Sequence, residues 1–262
     1  MRARAKHLFW VLANLYGRFF GRASFAPFHQ GLLIFALHGL GYDNGWKSSY
    51  TGEEWFVEHV LRPSDPRTCI DIGANIGNYS SLLLKNTTGE VYAFEPAKSS
   101  FAELLKVHTP PERFFPINKA VSDTVGEASL YSSSEKSPTA SLDPNIIINA
   151  PYETVATTTL DVFVNEQKLS DIDFIKVDVE GFEREVFRGM QKTLEICKPK
   201  YIQFEFNIMQ LQRGYTLLEL TTLLPGYTFY RLLPRGWVEI NPRSFSNNVF
   251  MFCNIVAKRR DR

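Results

Sequence analysis

A glycine-rich turn between two apolar runs holds the residues whose types and spacing best suit chemistry. The first run ends in Asp71, and the turn after it contains Gly73, Asn75 and Gly77. The second run ends in Glu95, about twenty residues after the first glycine. Glycine lets the backbone turn sharply, and a carboxylate at the tip of a second strand can accept hydrogen bonds from both hydroxyls of a ribose. This order of strand, turn, helix, strand and acid predicts a nucleoside pocket.

The spacing of the glycines indicates which nucleoside the pocket would take. Ala74 and Asn75 separate Gly73 from Gly77, so the G-x-G-x-x-G pattern of dinucleotide folds is absent. Asp71 would repel a pyrophosphate, but it suits the amino group of S-adenosylmethionine (SAM), which has a ribose and an adenine and no phosphate. The pattern therefore favours SAM over NAD. The alternative is a strand–turn–helix that needs glycine only in order to turn.

A second cluster of charged residues lies where a later apolar run ends. Lys176 and Asp178 share one face of this predicted strand, and Glu180 follows them. In a doubly wound sheet this strand lies beside the first one, so its carboxyl end faces the same crevice. A lysine in a central strand is costly unless it is paired, and Glu205 on the next strand is its expected partner. The alternative is an ion pair combined with capping of the next helix by Asp178 or Glu180.

These acids could activate an acceptor hydroxyl. An alcohol is a poor nucleophile while it is protonated, so a base should take its proton as the new bond forms. Asp178 is the first candidate and Glu180 the second, and Lys176 completes the predicted catalytic group. All five histidines lie within the first 108 residues, so a histidine base would come from the N-terminal part, where His38 and His59 are the candidates.

A metal-assisted variant of the same chemistry uses three acids as oxygen ligands. Asp178, Glu180 and Glu205 would hold a Mg²⁺-like ion that lowers the pKa of the acceptor hydroxyl. Their spacing matches no recognised metal signature, so we favour the route without a metal.

The composition of the chain sets broad limits on its class. With 262 residues and 44% apolar content, it can form one domain with additions and bury an ample core. A net charge of +1 provides no general attraction for nucleic acid. Cys69, Cys197 and Cys253 are odd in number and lie far apart in apolar stretches, so we expect buried thiols of a reducing compartment.

The N-terminal segment differs from the rest in charge. Its first 22 residues contain five basic residues and no acid, with an apolar run at 8–12. Leu15, Phe19 and Phe20 follow at helical spacing, so a basic amphipathic helix could rest on an anionic membrane surface. The alternative is a helix that packs on the domain and leaves its basic face solvated. We expect no spanning helix and a cytoplasmic protein, whose residues 1–22 could touch the inner face of the membrane.

Apolar runs and helical patterns alternate along most of the chain, which predicts a mostly parallel sheet. Thr51 and Glu54 have the spacing of a capping box and predict a helix through about Leu61. The segment 132–151 is rich in Ser, Pro and Asn and predicts a long loop over the site.

Together these features resemble the FkbM-type family of SAM-dependent methyltransferases. The matching pieces lie in the expected order at 51–53, 71–77, 92–96, 120–123, 159–161 and 175–181. The resemblance implies an α/β fold of the class I SAM methyltransferase (Rossmann-like) type. That fold is a three-layer sandwich whose mostly parallel seven-strand sheet has an antiparallel last strand. We place the methyltransferase domain at 51–262, after an N-terminal helical extension at 1–50.

The resemblance also implies a reaction and a set of cofactor-binding residues. The reaction would be O-methylation of a hydroxyl, of a sugar in a polysaccharide, a glycolipid or a glycosylated natural product. Glu95, followed by Pro96, would hold the ribose, and Ala120 would lie near the adenine. Glu53, in the first matching piece, is expected at the cofactor as well. The residues expected along the methionine part of SAM are Asp71, Gly73, Asn75 and Gly77.

Three other functions compete with this one. An NAD-linked sugar-modifying oxidoreductase would carry the dinucleotide glycine pattern, which is absent. A SAM-binding protein without catalysis could serve as an adaptor in a glycan assembly complex. An enzyme that methylates nitrogen or nucleic acid would often carry an Asn/Asp-Pro-Pro-aromatic stretch after the fourth strand. The chain reads Asp178-Val179-Glu180-Gly181 there. The sequence predicts neither the acceptor's identity nor the oligomeric state.

Overall fold

The computed structural model describes residues 3–44, 47–107, 112–132, 140–146 and 151–260. Its strands form two sheets. In chain order they are β1 (Thr68–Ile72), β2 (Glu90–Phe94), β3 (Phe114–Ile117), β4 (Ala120–Val121), β5 (Gly126–Ser132), β6 (Ala140–Ser141), β7 (Tyr152–Thr158), β8 (Phe174–Val177), β9 (Tyr201–Phe206), β10 (Tyr227–Leu233), β11 (Gly236–Ile240) and β12 (Cys253–Arg259).

The main sheet has the order β11-β10-β12-β9-β8-β1-β2-β3. Its neighbours β3, β2, β1, β8 and β9 are all parallel, whereas β12 is antiparallel to both β9 and β10. The last strand of the chain is therefore antiparallel, as the family resemblance implies. The chain order reverses between β1 and β8, and in open α/β sheets ligands bind beside the carboxyl ends of the strands at such a reversal.

The main sheet has one strand more than the predicted seven. The extra strand, β11, pairs antiparallel with β10 and forms a hairpin with it. Leu233 pairs with Gly236, so only Pro234 and Arg235 lie between the two strands. A turn of two residues returns the chain directly along the sheet edge.

A second, smaller sheet has the order β4-β7-β5-β6. Strands β5 and β7 form its long antiparallel pair. Strand β6 lies within the segment 132–151, which the sequence predicts as a loop. The residues 133–139 and 147–150 of that prediction lie outside the described residues.

The helices flank the sheets and precede them. They are α1 (Ala3–Phe20), α2 (Ala26–Gly39), α3 (Ser48–Thr51), α4 (Glu53–Phe56), α5 (Arg62–Ser64), α6 (Asn78–Asn86), α7 (Lys98–Leu104), α8 (Leu160–Gln167), α9 (Glu183–Arg188), α10 (Gln191–Ile196), α11 (Ile208–Gln212) and α12 (Leu217–Thr222). Short 3₁₀ turns occur at Ala23–Phe25 and Phe245–Asn247, and the π-helical turn Val57–Leu61 joins α4 to α5. Among these described residues, no helix is both long and apolar enough to cross a membrane.

The predicted helix start at Thr51 is wrong, and the helical segment after β8 is interrupted. Thr51 ends α3 instead of capping a helix, because Gly52 takes a left-handed conformation and the Thr51 hydroxyl donates to Glu53 Oε2 at 2.9 Å. The helical segment after β8 is divided into α9 and α10 near Gly189. A Cβ on Gly189 would lie 2.0 Å from the backbone oxygen of Ser122, so the close approach of the Ser122 backbone requires glycine there.

The core lies on both faces of the main sheet. All five residues of β1 are buried, and side chains alternate between two apolar clusters. Ile70 and Ile72 pack with residues such as Phe187 of α9, whereas Cys69 packs on the other face with Phe56 of α4. This produces the three-layer sandwich. All three cysteines are buried free thiols, as the sequence predicts.

The N-terminal extension is joined to this core at its end. Tyr42 is only 1% exposed and belongs to the larger apolar cluster. We therefore propose that the extension ends before Tyr42 and that the methyltransferase domain begins there, earlier than residue 51.

Candidate active site

A cleft opens at the carboxyl ends of β1, β2 and β8 and encloses about 730 Å³, part of it open to solvent. The small sheet forms the wall opposite. Seven residues predicted from the sequence line this cleft: Gly73, Asn75, Glu95, Pro96, Ala120, Asp178 and Glu180. The other predicted residues lie behind the lining or elsewhere in the fold.

The glycine-rich turn brings the ends of three strands together. The amides of Gly73 and Ala74 donate to the carbonyl oxygen of Phe94 at 3.0 and 2.9 Å, which ties the end of β1 to the end of β2. Gly73 has φ +85°, and a Cβ there would lie 1.8 Å from the backbone oxygen of Asp178. Glycine is therefore required here because the Asp178 backbone lies so close, and not because a ligand does.

Gly77 has a similar packing role. Its φ is +87°, and a Cβ would meet the side chains of Val107 and Leu104 at 2.6 and 2.8 Å. This glycine does not line the cleft. It allows α6 to begin close against the end of α7, and its predicted contact with the methionine part of SAM stays a prediction.

Glu95 is held at the end of β2 with its carboxylate in the cleft. Oε2 accepts a hydrogen bond from the amide of Asn75 and Oε1 accepts one from the amide of Ala97, both at 2.8 Å. Burial raises the pKa of Glu95 to about 7, although both amide donors oppose that rise. Each carboxylate oxygen can accept a further hydrogen bond. The site therefore fits a ribose with two adjacent hydroxyls.

Lys176 is a buried cation beneath the acid end of the cleft. Its Nζ lies 2.6 Å from Asp178 Oδ2 and 3.7 Å from Glu53 Oε1, and it stands 4.6 Å from the centre of the Tyr79 ring. Burial alone would lower the pKa of Lys176, but the surrounding carboxylates raise it well above its usual value. Lys176 does not line the cleft. It holds the Asp178 carboxylate in place.

The expected pairing of Lys176 with Glu205 is wrong. In the register of β8 and β9, Lys176 lies opposite Gln203, and Val177 lies opposite Phe204. Glu205 comes two residues later and therefore lies beyond the lysine. Its carboxylate instead accepts a hydrogen bond from the side chain of Asn207.

Glu53 has an ionic role behind the cleft, and its predicted contact with the cofactor stays a prediction. Its Oε1 accepts from Gln203 Nε2 at 3.0 Å, its Oε2 accepts from Thr51, and the carboxylate faces Lys176. It does not line the cleft. The resemblance identifies this residue but gives no indication of its partner Lys176 in β8, because Glu53 itself comes from α4, which precedes the sheet.

Asp71 is fully buried behind the turn. Its Oδ2 accepts a hydrogen bond from Ser80 at 2.7 Å, while Oδ1 has no partner among the described residues. Burial raises the pKa of Asp71, and the Lys176 charge opposes that rise. An unpaired buried acceptor is costly, so this oxygen suits an additional donor such as an amino group or a water. Contact of Asp71 with SAM stays a prediction.

Three acids follow or flank β8. Glu180 has φ +50°, a strained conformation for a residue with a side chain, and burial together with Asp178 and Glu183 raises its pKa to about 8. Burial and neighbouring acids likewise raise the pKa of Glu205, which does not line the cleft. Among the described residues, no group of three His, Cys, Asp or Glu side chains could hold a metal ion. The proposed three-acid ligand set is thus not found in this arrangement.

Glu183 is a buried acid to which the sequence analysis assigned no role. Its carboxylate accepts from Gln210 Nε2 at 2.7 Å and from the Tyr215 hydroxyl at 3.3 Å. Its Oε1 accepts from the amide of Gly181 at 3.2 Å. These bonds fix the loop that carries Glu180. The position of Glu183 shortly after β8 was visible in the sequence, but its partners come from the region after β9.

The small sheet supplies lining residues that the sequence analysis missed. Leu130, Ala140 and Leu142 line the cleft, together with Lys119, which precedes β4. The hydroxyl of Ser141 donates to the backbone oxygen of Glu180 at 3.0 Å, so this sheet is tied to the acid loop. The predicted location of this segment over the site agrees with its described part.

Neither histidine candidate lies at the cleft. His38 Nδ1 is 2.9 Å from the backbone oxygen of Tyr42, and His59 Nδ1 is 3.1 Å from that of Trp55. His59 also stacks on the Trp55 ring. Both side chains therefore have local structural contacts, and the acids remain the base candidates.

The sheet order, the antiparallel last strand, the glycine-rich turn after β1 and the acid after β2 define a class I SAM-dependent methyltransferase. Residues 71–229 match the Methyltransferase FkbM domain. This match spans more than half of the chain, and the chain belongs to the FkbM methyltransferase family.

Two relatives and one solved structure illustrate the similarity. The hexuronic acid methyltransferase AglP of Haloferax volcanii is 28% identical over 175 residues, which are 66% of this chain and 68% of AglP. The 2-O-methyltransferase NoeI of Sinorhizobium fredii is 28% identical over 196 residues, 69% of this chain and 79% of NoeI. The O-methyltransferase from Bacillus cereus, solved in complex with SAH, has a TM-score of 0.47 and 12% identity over 88% of this chain and 90% of its own.

Proposed function

We propose that this methyltransferase transfers the methyl group of SAM to a hydroxyl of a sugar. The observation that carries the proposal is that Glu95, Asp178 and Glu180 line one cleft at the strand ends. An acid after the second strand suits a ribose, and acids after β8 suit an acceptor hydroxyl.

The residues around the cleft support a specific arrangement of the cofactor. When bound, SAM would supply a methyl group attached to a positive sulfur. Glu95 would accept hydrogen bonds from the ribose hydroxyls, in addition to the two backbone amides that orient its carboxylate. Ala120, Leu130 and Leu142 offer an apolar wall for the adenine. The acid end of the same cleft is left for the acceptor.

The charges at that end favour an acceptor without charge. Asp178 and Glu180 both line the cleft. The nearby Glu183 helps to raise the pKa of Glu180, and Glu180 in turn helps to raise the pKa of Glu205. The carboxylate of a hexuronic acid would add a negative charge beside Asp178 and would oppose the ionisation of Glu180. The names of the relatives point to a sugar in AglP and to a hydroxyl oxygen in NoeI. We therefore propose a neutral sugar hydroxyl for this chain.

The two lining acids would divide the proton chemistry. Asp178, ion-paired with Lys176 and partly exposed, would accept the hydrogen bond that orients the hydroxyl. Glu180, whose pKa of about 8 lies near neutral pH, would take the proton as the oxygen bonds to the methyl carbon. The methyl carbon separates from sulfur in the same step, and the protonated Glu180 then releases its proton to water. We propose that no metal is needed for this route.

Calorimetric titration with SAM and with NAD tests the cofactor. We expect SAM binding in the wild-type protein and at least a tenfold loss of affinity in Glu95→Ala. Glu239→Gln, which removes an exposed carboxylate from β11, is the matched control and should bind SAM normally. Absence of SAM binding by the folded protein would refute the proposal, and NAD binding instead would favour the oxidoreductase.

Methyl transfer to neutral and acidic sugar glycosides tests the acceptor. We expect Asp178→Asn to bind SAM but to lose turnover with a neutral glycoside, because its hydroxyl is no longer oriented by a carboxylate. Normal turnover in both Asp178→Asn and Glu180→Gln would contradict the assigned roles. SAM binding without transfer to any hydroxyl would favour the adaptor function, and preference for a hexuronic acid would overturn the proposed neutral acceptor.

A further inference from the structure

The described surface concentrates its exposed apolar side chains in one place. Fifteen large exposed hydrophobic residues lie at or before Leu40, whereas ten are scattered over the remaining described residues. We call α1 and α2, with the turn between them, the N-terminal helix pair. Exposed apolar surface on this scale marks an interaction site rather than a feature of a solvated helix.

Helix α1 exposes nine large apolar side chains, and four of them form a continuous stripe along the helix. Leu8, Leu12, Leu15 and Phe19 follow at intervals of three or four residues and are 48–59% exposed. Arg18 lies away from this stripe by the same periodicity. Exposed apolar side chains on a helix that also carries basic residues are typical of helices that lie in a membrane interface.

Helix α2 extends the apolar surface. It contains no charged Lys, Arg, Asp or Glu, and Leu32, Leu33 and Phe35 are 50–78% exposed. With 14 residues it is about 21 Å long, which is shorter than the hydrocarbon core of a bilayer. The helix is therefore suited to lie along a membrane surface beside α1.

The charge of this segment identifies the kind of surface. The first acid of the chain is Asp43, and the 42 residues before it include five Lys or Arg residues. The whole chain has a net charge of only +1, so the remainder carries more acids than bases. The positive charge thus coincides with the exposed apolar surface, a combination that complements anionic lipid.

Contacts within the pair and at its base give it a defined position. The Tyr16 hydroxyl lies 2.8 Å from His29 Nε2, and the rings of Phe20 and Phe25 meet edge to face at 5.3 Å. At the base, the guanidinium of Arg231 stands 4.1 Å from the centre of the buried Tyr42 ring. The pair is therefore connected to the domain through a packed joint, and its apolar surface is left outside.

From these observations we propose that the N-terminal helix pair docks the enzyme on an anionic lipid bilayer, with both helices in the plane of the interface. Exposed apolar side chains would insert among the lipids, and the basic residues would face the lipid headgroups. The proposal does not depend on the proposed acceptor, because no residue of the pair lines the cleft.

Flotation of the full chain with vesicles tests this docking. We expect binding to vesicles of phosphatidylcholine with 30% phosphatidylglycerol and little binding to phosphatidylcholine alone. Leu12→Ser/Phe35→Ser should reduce binding at least tenfold, because both side chains are exposed and would insert. Phe245→Ser, which removes a side chain that is 90% exposed outside the pair, is the control and should bind like the wild type.

The contribution of the basic residues and the depth of insertion into the bilayer are measured separately. Arg18→Gln/Arg22→Gln should weaken binding to the anionic vesicles roughly 10- to 30-fold, since each basic residue near an anionic surface contributes about fivefold in affinity. Brominated lipids should quench tryptophan fluorescence in the wild type, and Trp10→Phe should remove most of that quenching. Each variant should bind SAM with the affinity of the wild type, which would show that its fold is intact.

Two results would overturn the proposal. The first is no vesicle binding, or equal binding to neutral and anionic vesicles. The second is a dimer in light scattering that Leu12→Ser/Phe35→Ser converts to a monomer, without any binding to vesicles. That result would assign the apolar surface to a second copy of the chain.

Discussion

Replacement of Lys176 by Met should destabilise the protein by an amount that grows with pH. The lysine is 5% exposed and lies among Asp178, Glu53 and Asp71. Removal of one partner from a buried ion pair costs about 3–5 kcal/mol, because the remaining charge is left uncompensated. For a chain of this size that loss lowers the melting temperature by roughly 6–20 °C.

The pH dependence follows from the acids that lose their cation. The charge of Lys176 holds down the pKa values of Asp71 and Glu180, so its loss raises both in the folded state. A carboxyl whose pKa is higher in the folded than in the unfolded protein takes up a proton on folding at pH values between the two, so it destabilises the folded protein increasingly as pH rises through that range. The loss of stability in Lys176→Met should therefore be smaller at pH 5.5 than at pH 8.

Thermal unfolding at the two pH values measures this effect. Lys106→Met is the matched control, since Lys106 and Glu103 form an exposed ion pair at 2.7 Å whose loss should cost under about 1 kcal/mol. Adding Glu53→Gln to Lys176→Met should recover part of the stability, because one excess carboxylate is removed. A fall of less than about 2 °C, or an equal fall at both pH values, would refute this account of the buried cluster.

Three further predictions concern the cleft. SAM affinity should fall about tenfold from pH 8 to pH 6, because Glu95 has a pKa of about 7 and its protonated form accepts hydrogen bonds from the ribose hydroxyls poorly. Calorimetry should show that Glu95→Gln removes this pH dependence. Gly73→Ala should lose 2 kcal/mol or more in denaturant unfolding, since its Cβ would lie 1.8 Å from the Asp178 backbone oxygen, whereas Gly31→Ala, with no atom within 4 Å, should not. Turnover per bound SAM should rise with pH through about 8 if Glu180 is the base, and a rise that persists in Glu180→Gln would exclude that role.

Some residues of the site could be predicted from the sequence, whereas the partners of others could not. Glu95 and Asp178 could be predicted because each ends a parallel strand, and the ends of parallel strands meet at one edge of the sheet. Lys176 could be recognised as needing a partner, but which acid pairs with it depends on the register of β8 and β9 and on the position of Glu53. A sequence pattern gives neither the register of two strands nor the position of a residue from a distant helix.

Some helices and strands could likewise be predicted from the sequence, and others could not. Alternating apolar runs and helical patterns determine a parallel α/β sheet, because their period and length depend on neighbouring residues alone. The hairpin strand β11 and the division of α9 from α10 were not predicted, since they result from the sheet edge and from the contact of Gly189 with the Ser122 backbone.

The methyltransferase fold, the nucleoside turn and the acids at the two strand ends could be predicted from the sequence, because those features are local patterns in a fixed order. The side chains that line the cleft, the closure of the small sheet over it and the charges that Lys176 compensates became known from the three-dimensional structure alone. It also shows that the apolar side chains of α1 and α2 remain outside the core. Those outcomes depend on packing between segments that are distant in the chain, and burial in turn sets the pKa values of Glu95 and Glu180.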